Sequence, residues 1–310
     1  MAEQSQPAQQ WSSRSIGAPW QHQFFYLLLR LGGRQSAYFF LNFVVGYYML
    51  LRPDQRAKCL PYVRRRFPHA GAWMRFVHCY RMAHGLGRAL LDRALVGILG
   101  PEKVKIEITH RQELLDLVAE GQGLILMTAH LGSWQAALAR VNFLQRPVHM
   151  LMYREPGDVD RHYFEHRRQK SPFRMIDPTG LFGGAVEMLA ALKRGEIVSV
   201  MGDRMMGADR NSIEVSFLGG KVRFPYSAYK LASASGAPIA VLFNHKTGPD
   251  SYRIELVRVM RIPHQKGRHG EEFRPYVEEF ARALEDYVQD HPYQFFNFFD
   301  LWHTETGKEK

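Results

Sequence analysis

The sequence predicts an α/β fold, in which a central sheet of mostly parallel or mixed strands is flanked by helices and follows a helical N-terminal region. The chain has 310 residues, of which 46% are hydrophobic, and this suffices for a sizeable buried core. From Lys103 onward, short strand-like segments alternate with helical segments, as in sheets covered by helices. Before Lys103, apolar residues recur at helical spacing, most clearly from Trp73 to Leu99.

The region after Lys103 contains the predicted sheet. Segments with a two-residue period or a continuous apolar run predict strands, because these patterns suit half-buried or fully buried strands. Periodic segments that end at glycine predict helices, and Gly219-Gly220 between two alternating segments predicts a hairpin. The predicted elements are strands 103–109, 123–130, 148–153, 173–177 and 196–204, a hairpin over 212–225, paired strands 237–246 and 251–260, and helices 111–122, 131–144, 183–195, 226–236 and 271–289.

The first third of the chain is both basic and apolar. Its 100 residues carry 13 Lys and Arg but only 3 Asp and Glu, and so hold nearly all of the net charge of +11. The apolar segment 37–51 is 15 residues long, shorter than the ~20 residues that a membrane-spanning helix needs. We expect residues 24–51 to form an embedded or surface-lying hairpin on an anionic membrane, with an ordinary core helix as the alternative.

These patterns divide the chain into three regions. We expect a polar tail over 1–23, a helical membrane-associating region over 24–102, and an α/β domain over 103–310 that is continuous with the region before it. The tail lacks the basic-then-apolar order of a signal peptide. Cys59 and Cys79 are too few for a disulfide framework or a four-thiolate zinc site, so we expect both to pack as small apolar side chains.

Several functional classes lack their motifs. The sequence contains no G-x-S-x-G nucleophile elbow and no Walker A phosphate loop. Nucleic-acid binding would need basic residues interleaved with stacking aromatics, and the apolar neighbours of Arg64–Arg66 favour lipid instead. His149 stands without metal-ligand spacing, and we expect it at the surface.

Polar side chains follow two of the predicted buried strands, and ligands of α/β sheets gather at the carboxyl ends of strands. One strand ends at His130, and the other is followed by Asp203 and Arg204. A histidine whose far ring nitrogen is held by a neighbour is suited to act as a general base. By local spacing alone, a histidine satisfied by the backbone is an equally good interpretation, and Asp203 could instead cap a turn.

The order of several short motifs resembles that of the lysophospholipid acyltransferase superfamily, most closely its lipid A late-acyltransferase (lauroyl/myristoyl)-like branch. The first family motif is a strand ending in His, followed after four residues by Asp or Glu. Here that motif begins at His130, and Gly132 and Trp134 also match it. The resemblance covers most of residues 24–303. Its other blocks are Tyr153-Arg154, Met201-Gly202-Asp203-Arg204 with Gly207, Phe217-Leu218-Gly219 with Ser227, Lys230 and Gly236-Ala237-Pro238-Ile239, and Pro292-Tyr293-Gln294-Phe295-Phe296.

This resemblance implies an acyltransferase that moves groups other than amino-acyl groups. The donor would be an acyl carrier protein or acyl-CoA thioester, and the acceptor a hydroxyl or amine of a membrane lipid or similar molecule. The resemblance implies His130 as general base, with no cofactor, no metal and no nucleic-acid partner. It places the reaction at the membrane surface, on the cytoplasmic face of the inner membrane, in a peripheral or monotopic protein. A thioester is already activated, so a positioned base and oxyanion stabilisation are enough.

The main departure from the family pattern is Gln135, which stands where the family has a carboxylate. An amide can accept a hydrogen bond from the imidazole but cannot stabilise its positive form, and such a change can cost orders of magnitude in rate. Either Gln135 still orients His130, or another carboxylate does, with Asp203 the best candidate. The competing hypothesis is a non-catalytic relative that binds acyl chains or a carrier protein.

The remaining candidate residues are assigned to substrate binding. Arg154 and Arg204 are candidates for phosphate or oxyanion contacts, because a guanidinium fork suits both. A surface ion pair is an equally good interpretation of Arg154, which precedes an acidic residue. Ser133, Trp134 and Gly207 complete the candidate set, because they belong to the same two motifs.

Overall fold

Nine strands are present in the residues that the computed structural model describes, which are 19–133, 141–152, 173–205, 211–264 and 269–302. They are β1 (Lys105–Ile108), β2 (Leu124–Thr128), β3 (Val148–Leu151), β4 (Arg174–Ile176), β5 (Ile197–Met201), β6 (Ser212–Phe217), β7 (Gly220–Pro225), β8 (Ile239–Lys246) and β9 (Ser251–Met260). Seven of them form one sheet in the order β1-β9-β8-β2-β5-β3-β4, and β6 and β7 form a separate hairpin.

The central sheet is mixed but mainly parallel, which confirms the predicted fold class. The strands β8, β2, β5, β3 and β4 run in one direction. β9 pairs antiparallel with β8 and parallel with β1, so the sheet reverses direction only at one side. The first four residues of both β2 and β5 are buried. Their continuous apolar runs follow from this, since a strand covered on both faces has no polar side.

Helices precede the sheet and cover it. The N-terminal helices are α1 (Pro19–Leu31), α2 (Gly33–Leu51), α3 (Pro53–Arg66) and α4 (Ala72–Leu99). The later helices are α5 (Arg111–Ala119), α6 (Ala185–Lys193), α7 (Ser227–Ser235) and α8 (Arg274–Asp290). They agree with the predicted helices, except for 131–144, of which residues 134–140 lie outside the described residues and Val141–Leu144 form a 3₁₀ turn. Further short 3₁₀ turns span Pro101–Lys103, Leu181–Gly184 and Gly270–Phe273.

Helix α2 is apolar on both its buried and its exposed side. From Tyr38 onward its buried residues lie three to four positions apart along one face, which packs mainly against α4. The opposite side exposes six large apolar residues to solvent. No described helix is both long enough and apolar enough to cross a bilayer. The buried residues are Ala37, Tyr38, Leu41, Val45 and Met49, and the exposed ones are Phe39, Phe40, Phe43, Tyr47, Leu50 and Leu51.

A buried carboxylate joins the N-terminal helices to the sheet. Asp92 of α4 is fully buried, and it accepts hydrogen bonds from Arg34 at 2.9 Å and from the Tyr38 hydroxyl at 2.6 Å, both on α2. Lys246 of β8 donates to the same carboxylate at 2.5 Å, and the Tyr252 hydroxyl of β9 at 2.6 Å. Four donors from three elements therefore converge on one buried charge, as burial of an ion requires.

Cys59 and Cys79 are both buried, as the sequence predicts, and neither forms a disulfide. They lie on the neighbouring helices α3 and α4 within the main apolar core. The hydrogen bond with Cys79, together with burial, raises the pKa of the Cys59 thiol. The Cys59 thiol is therefore inert as a nucleophile at neutral pH.

Candidate active site

The pairing of β2 with β5 brings the two polar strand ends together. The two strands are parallel, and Thr128 at the end of β2 is paired with Met201 at the end of β5. Beyond them, the amide of Gly202 donates to the carbonyl of Thr128 at 2.8 Å, so the alignment continues past the strands. His130 and Asp203 each lie two residues beyond the last pair. The same register therefore places them opposite one another.

His130 and Asp203 form a hydrogen-bonded dyad. Nδ1 of the imidazole lies 3.0 Å from each carboxylate oxygen, and the backbone amide of His130 donates to Oδ2 at 3.1 Å. An ionised carboxylate can only accept, so the imidazole Nδ1 carries the proton in this contact. This tautomer puts the basic lone pair on Nε2, the arrangement that a general base requires.

The electrostatics of the dyad keep the carboxylate charged. Asp203 is 1% exposed, whereas the side chain of His130 is 20% exposed. Burial alone would raise the pKa of Asp203, but the attraction and hydrogen bonds of His130, together with the charge of Arg204, outweigh it and hold that pKa below its usual value. Burial lowers the pKa of Arg204 to about 10, so its guanidinium stays charged at neutral pH. The site thus presents a partly exposed imidazole backed by a buried anion.

Arg204 lies against residues 292–299, here called the C-terminal segment. Its guanidinium donates to the carbonyl of Phe296 at 2.9 Å and lies over the ring of Phe299 at 4.7 Å. A weaker contact reaches the side-chain oxygen of Asn297 at 3.4 Å. Arg204 is only 9% exposed. Its contacts with the C-terminal segment fix its position directly after Asp203.

The C-terminal segment also holds the backbone around the histidine. Leu131 and Phe295 form an isolated antiparallel bridge. The amide of Phe296 donates to the carbonyl of His130 at 2.8 Å, and the amide of Gly132 donates to the carbonyl of Gln294 at 2.9 Å. Sequence analysis identifies residues 292–296 only through the family resemblance. Their pattern does not predict a contact with His130–Gly132, which lies about 160 residues earlier in the chain.

Gly132 is the residue that permits this close packing. Its φ of +56° lies in the left-handed region, which glycine adopts without strain. A Cβ at this position would lie 2.6 Å from the carbonyl oxygen of Asn244 and would also collide with the Asn244 side-chain oxygen. Any larger residue would therefore displace either the His130 loop or the end of β8.

A family model described as bacterial lipid A biosynthesis acyltransferase matches residues 7–304 of the chain. The chain belongs to this family. Membership confirms the acyltransferase family that the sequence motifs indicate, with an acyl donor and a lipid-like acceptor as its general substrates. A comparison with curated proteins gave no match.

The structure describes only part of the residue set predicted for this acyltransferase-family site. It brings His130, Asp203 and Arg204 together at the ends of β2 and β5. Ser133 is 2% exposed, three residues after the histidine. Roles in catalysis or substrate binding remain predictions for all of these residues. The predicted site residues Trp134, Gln135, Arg154 and Gly207 lie outside the described residues.

The surface position predicted for His149 is wrong. His149 lies in β3 and is only 6% exposed, and its Nε2 is 2.8 Å from the carboxylate of Glu196. The adjacent Arg194 also binds this carboxylate, at 2.7 Å. Burial of His149 is possible because Glu196 satisfies its ring nitrogen. Glu196 lies 47 residues away, so the residues around His149 in the sequence could not predict this contact. Within the described ranges, no group of three His, Cys, Asp or Glu side chains is placed to hold a metal ion.

Proposed function

We propose that this protein is a membrane-surface acyltransferase that moves an acyl chain from a carrier thioester to a hydroxyl or amine of a lipid-like acceptor, with His130 as general base. The observation that carries the proposal is the contact of the Asp203 carboxylate with Nδ1 of His130. It supplies the charge that Gln135 lacks. The main reason to expect a non-catalytic relative was the missing carboxylate at position 135, and the contact with Asp203 removes that reason.

The transfer follows from the tautomer of the imidazole. Nε2 removes the proton from the acceptor hydroxyl or amine as its oxygen or nitrogen attacks the thioester carbonyl carbon. The tetrahedral intermediate then expels the thiolate, and the imidazolium returns the proton to the sulfur. Asp203 stabilises the imidazolium and keeps Nδ1 protonated throughout, as the carboxylate does in other histidine-based acyl-transfer sites.

The assignments of the two arginines differ in what supports them. Arg204 holds the C-terminal segment, and its charge favours ionised Asp203, so we assign it a positioning role toward the dyad as well as the predicted anion contact. Arg154 keeps the predicted contact with a phosphate or the developing oxyanion. The donor is an acyl carrier protein or acyl-CoA thioester, and the resemblance to the lauroyl/myristoyl-like branch makes lauroyl and myristoyl thioesters the first donors to test.

The proposed site of action is the membrane surface, and an exposed apolar surface supports it. The rings of Phe24 on α1 and Phe40 on α2 meet edge to face at 5.4 Å, and Phe39 and Phe43 extend the same surface. Such contiguous apolar patches on soluble proteins mark interaction sites. The surface lies in the most basic third of the chain, which favours an anionic bilayer. We therefore propose peripheral or monotopic attachment to the cytoplasmic face of the inner membrane.

The acyl-transfer proposal is tested by comparing lipids from cells that express the native protein, His130→Ala or the control variant His69→Ala, at matched membrane abundance. His69 is exposed, so its loss removes an imidazole away from the dyad. We expect a new acylated lipid with the native protein and His69→Ala, and none with His130→Ala. Its mass identifies the acceptor. If purified protein with lauroyl or myristoyl thioesters and the lipid extract also gave no product, the non-catalytic alternative would be supported.

The membrane proposal is tested by sedimentation with vesicles of phosphatidylcholine, with and without 30 mol% phosphatidylglycerol (about a third anionic lipid). We expect stronger binding to the anionic vesicles and a clear loss with Phe43→Ser/Leu50→Ser. Met175→Ser, which removes an exposed apolar side chain from β4, is the control. Equal binding by all variants would contradict the proposed surface.

A further inference from the structure

A cavity of about 400 Å³ lies between α4 and the end of β8. Three basic residues of α4 line it, Arg81, His84 and Arg88, whose spacing of three and four positions puts them on one helix face. Lys246, the last residue of β8, also lines the cavity. This volume is within the range of pockets that bind small ligands or the polar part of larger ones.

The cavity wall is positively charged. Its described lining contains the cations Arg81, Arg88 and Lys246 and neither Asp nor Glu. Burial and the charge of Arg88 lower the pKa of His84, so its imidazole is neutral at neutral pH. The guanidinium groups of Arg81 and Arg88 lie over the rings of Tyr293 and Tyr38, at 5.5 and 4.7 Å, and form no ion pair with a described carboxylate. Lys246 forms an ion pair with Asp92, and Arg34 pairs with the same carboxylate. One negative charge therefore faces two positive charges, and the group keeps a net positive charge. The electrostatics of the cavity therefore favour an anion.

Two nitrogen atoms in this wall need hydrogen-bond partners. Nε2 of His84 and Nε of Arg88 are buried, and neither has a partner among the described residues. Buried polar atoms in folded proteins are nearly always satisfied, and an exception calls for an explanation such as a bound ligand. Both residues line the same cavity, so an anion bound there lies beside two side chains that each have a nitrogen without a partner.

The cavity adjoins the dyad through a shared stretch of backbone. Gly132 and Phe296 line the cavity, and the amide of Phe296 donates to the carbonyl of His130 at 2.8 Å. At Gly85 of α4, a Cβ would lie 2.6 Å from the carbonyl oxygen of Tyr293, so helix and C-terminal segment are in close contact here. A group bound in the cavity therefore sits against the same segment that fixes the catalytic histidine.

We propose that this cavity binds a phosphate group of one of the two substrates. Guanidinium groups bind phosphate oxygens through paired, charge-assisted hydrogen bonds, and the lysine adds a point charge. Phosphate occurs in coenzyme A and phosphopantetheine donors and also in phospholipid acceptors, and the cavity chemistry is common to both sources. Its role in orienting a substrate rests on the proposed acyl transfer, whereas binding itself does not.

The test measures dissociation constants of the full-length protein for coenzyme A and for dihexanoyl phosphatidic acid, a soluble short-chain lipid. The variants are Arg81→Gln, which alters an exposed helix position, and Arg88→Gln; the control Arg282→Gln removes an exposed charge from α8. We expect both cavity variants to bind one probe about tenfold more weakly, with the control unchanged. Thermal midpoints show whether each variant is folded.

The outcomes identify the phosphate source. Weaker binding of coenzyme A alone assigns the cavity to the donor, and weaker binding of the short-chain lipid alone assigns it to the acceptor. If folded Arg81→Gln and Arg88→Gln bind both probes as well as Arg282→Gln does, the inference is overturned. Binding is also measured on His130→Ala, which cannot turn over. Suppose that the native protein binds a probe but forms no acylated lipid, either in cells or when purified with acyl thioesters and lipid extract. This result would support the phosphate site and contradict acyl transfer, so each proposal can fail without the other.

Discussion

The carboxylate of Asp203 lies 3.0 Å from Nδ1 of His130, although the two residues are 73 positions apart in the chain. Their meeting depends on the parallel register of β2 and β5, which ends with Thr128 opposite Met201. The usual family carboxylate would come from the residue five positions after the histidine. Here the partner comes instead from a neighbouring strand, so a local glutamine does not leave the imidazole without an anion.

Replacing Asp203 by Asn should abolish most acyl transfer. The amide keeps the shape of the side chain but removes the charge that stabilises the imidazolium and can favour the wrong tautomer, a change that costs up to about 10⁴-fold in comparable dyads. We expect at least about a 10²-fold loss of turnover, measured with radiolabelled acyl donor. Asp286→Asn, at an exposed position of α8, is the matched control. Equal rates for both variants would rule out Asp203 as the partner of the base.

Replacing Gln135 by Glu should not activate the protein strongly. Nδ1 of His130 already contacts the carboxylate of Asp203, which stabilises the imidazolium. A second carboxylate at position 135 therefore adds little. We expect the turnover of Gln135→Glu to stay within about tenfold of the native rate, in the assay used for Asp203→Asn. A large activation would show that the native protein is a decayed enzyme and that Asp203 does not supply the function.

Replacing Gly132 by Ala should disturb the histidine loop. The added Cβ would collide with Asn244, and a non-glycine residue at a φ of +56° adds backbone strain. We expect a lower thermal midpoint and loss of turnover. Gly46→Ala provides the matched control, because a Cβ there meets nothing within 4 Å and alanine favours the α2 helix. If Gly132→Ala were as stable and active as Gly46→Ala, the tight packing described here would be wrong.

Replacing Asp92 by Asn should destabilise the joint between the N-terminal helices and the sheet. The change leaves Arg34 and Lys246 without the buried charge that they share. Breaking a buried ion pair in this way typically costs about 3 kcal/mol or more in the free energy of unfolding. Denaturant titration in detergent measures it, with Asp54→Asn at an exposed ion pair as the control. A loss no greater than that of the control would contradict the stabilising role of Asp92.

His245 should make the fold less stable as the pH falls. Burial, aided by the charges of His291 and Arg253, lowers the pKa of His245 from 6.5 to about 4. Between these values the unfolded chain binds a proton that the folded chain does not, so the free energy of unfolding decreases as the pH falls from 6.5 to 4. Thermal midpoints across this range should fall less steeply for His245→Gln than for the native protein, while His69→Gln should follow the native curve.

Local patterns predicted most elements of the fold correctly. The alternation in 212–225 gave the hairpin of β6 and β7, and the paired segments 237–246 and 251–260 gave β8 and β9, because strand periodicity and turn chemistry are local properties. The order of the strands in the sheet was not predicted. Neighbouring strands such as β2 and β5 are separated in the chain by β3 and β4, and only packing sets such crossovers.

The sequence by itself determined the family, the α/β class and the histidine at the end of a buried strand, since each depends on residues close together in the chain. Tertiary structure decided which carboxylate holds that histidine, why Gly132 must stay small, and how the C-terminal segment reaches the site. It also placed the α4 cations and Lys246 around one cavity. These outcomes depend on contacts between distant segments, whose geometry is fixed only when the strands pair and the helices pack.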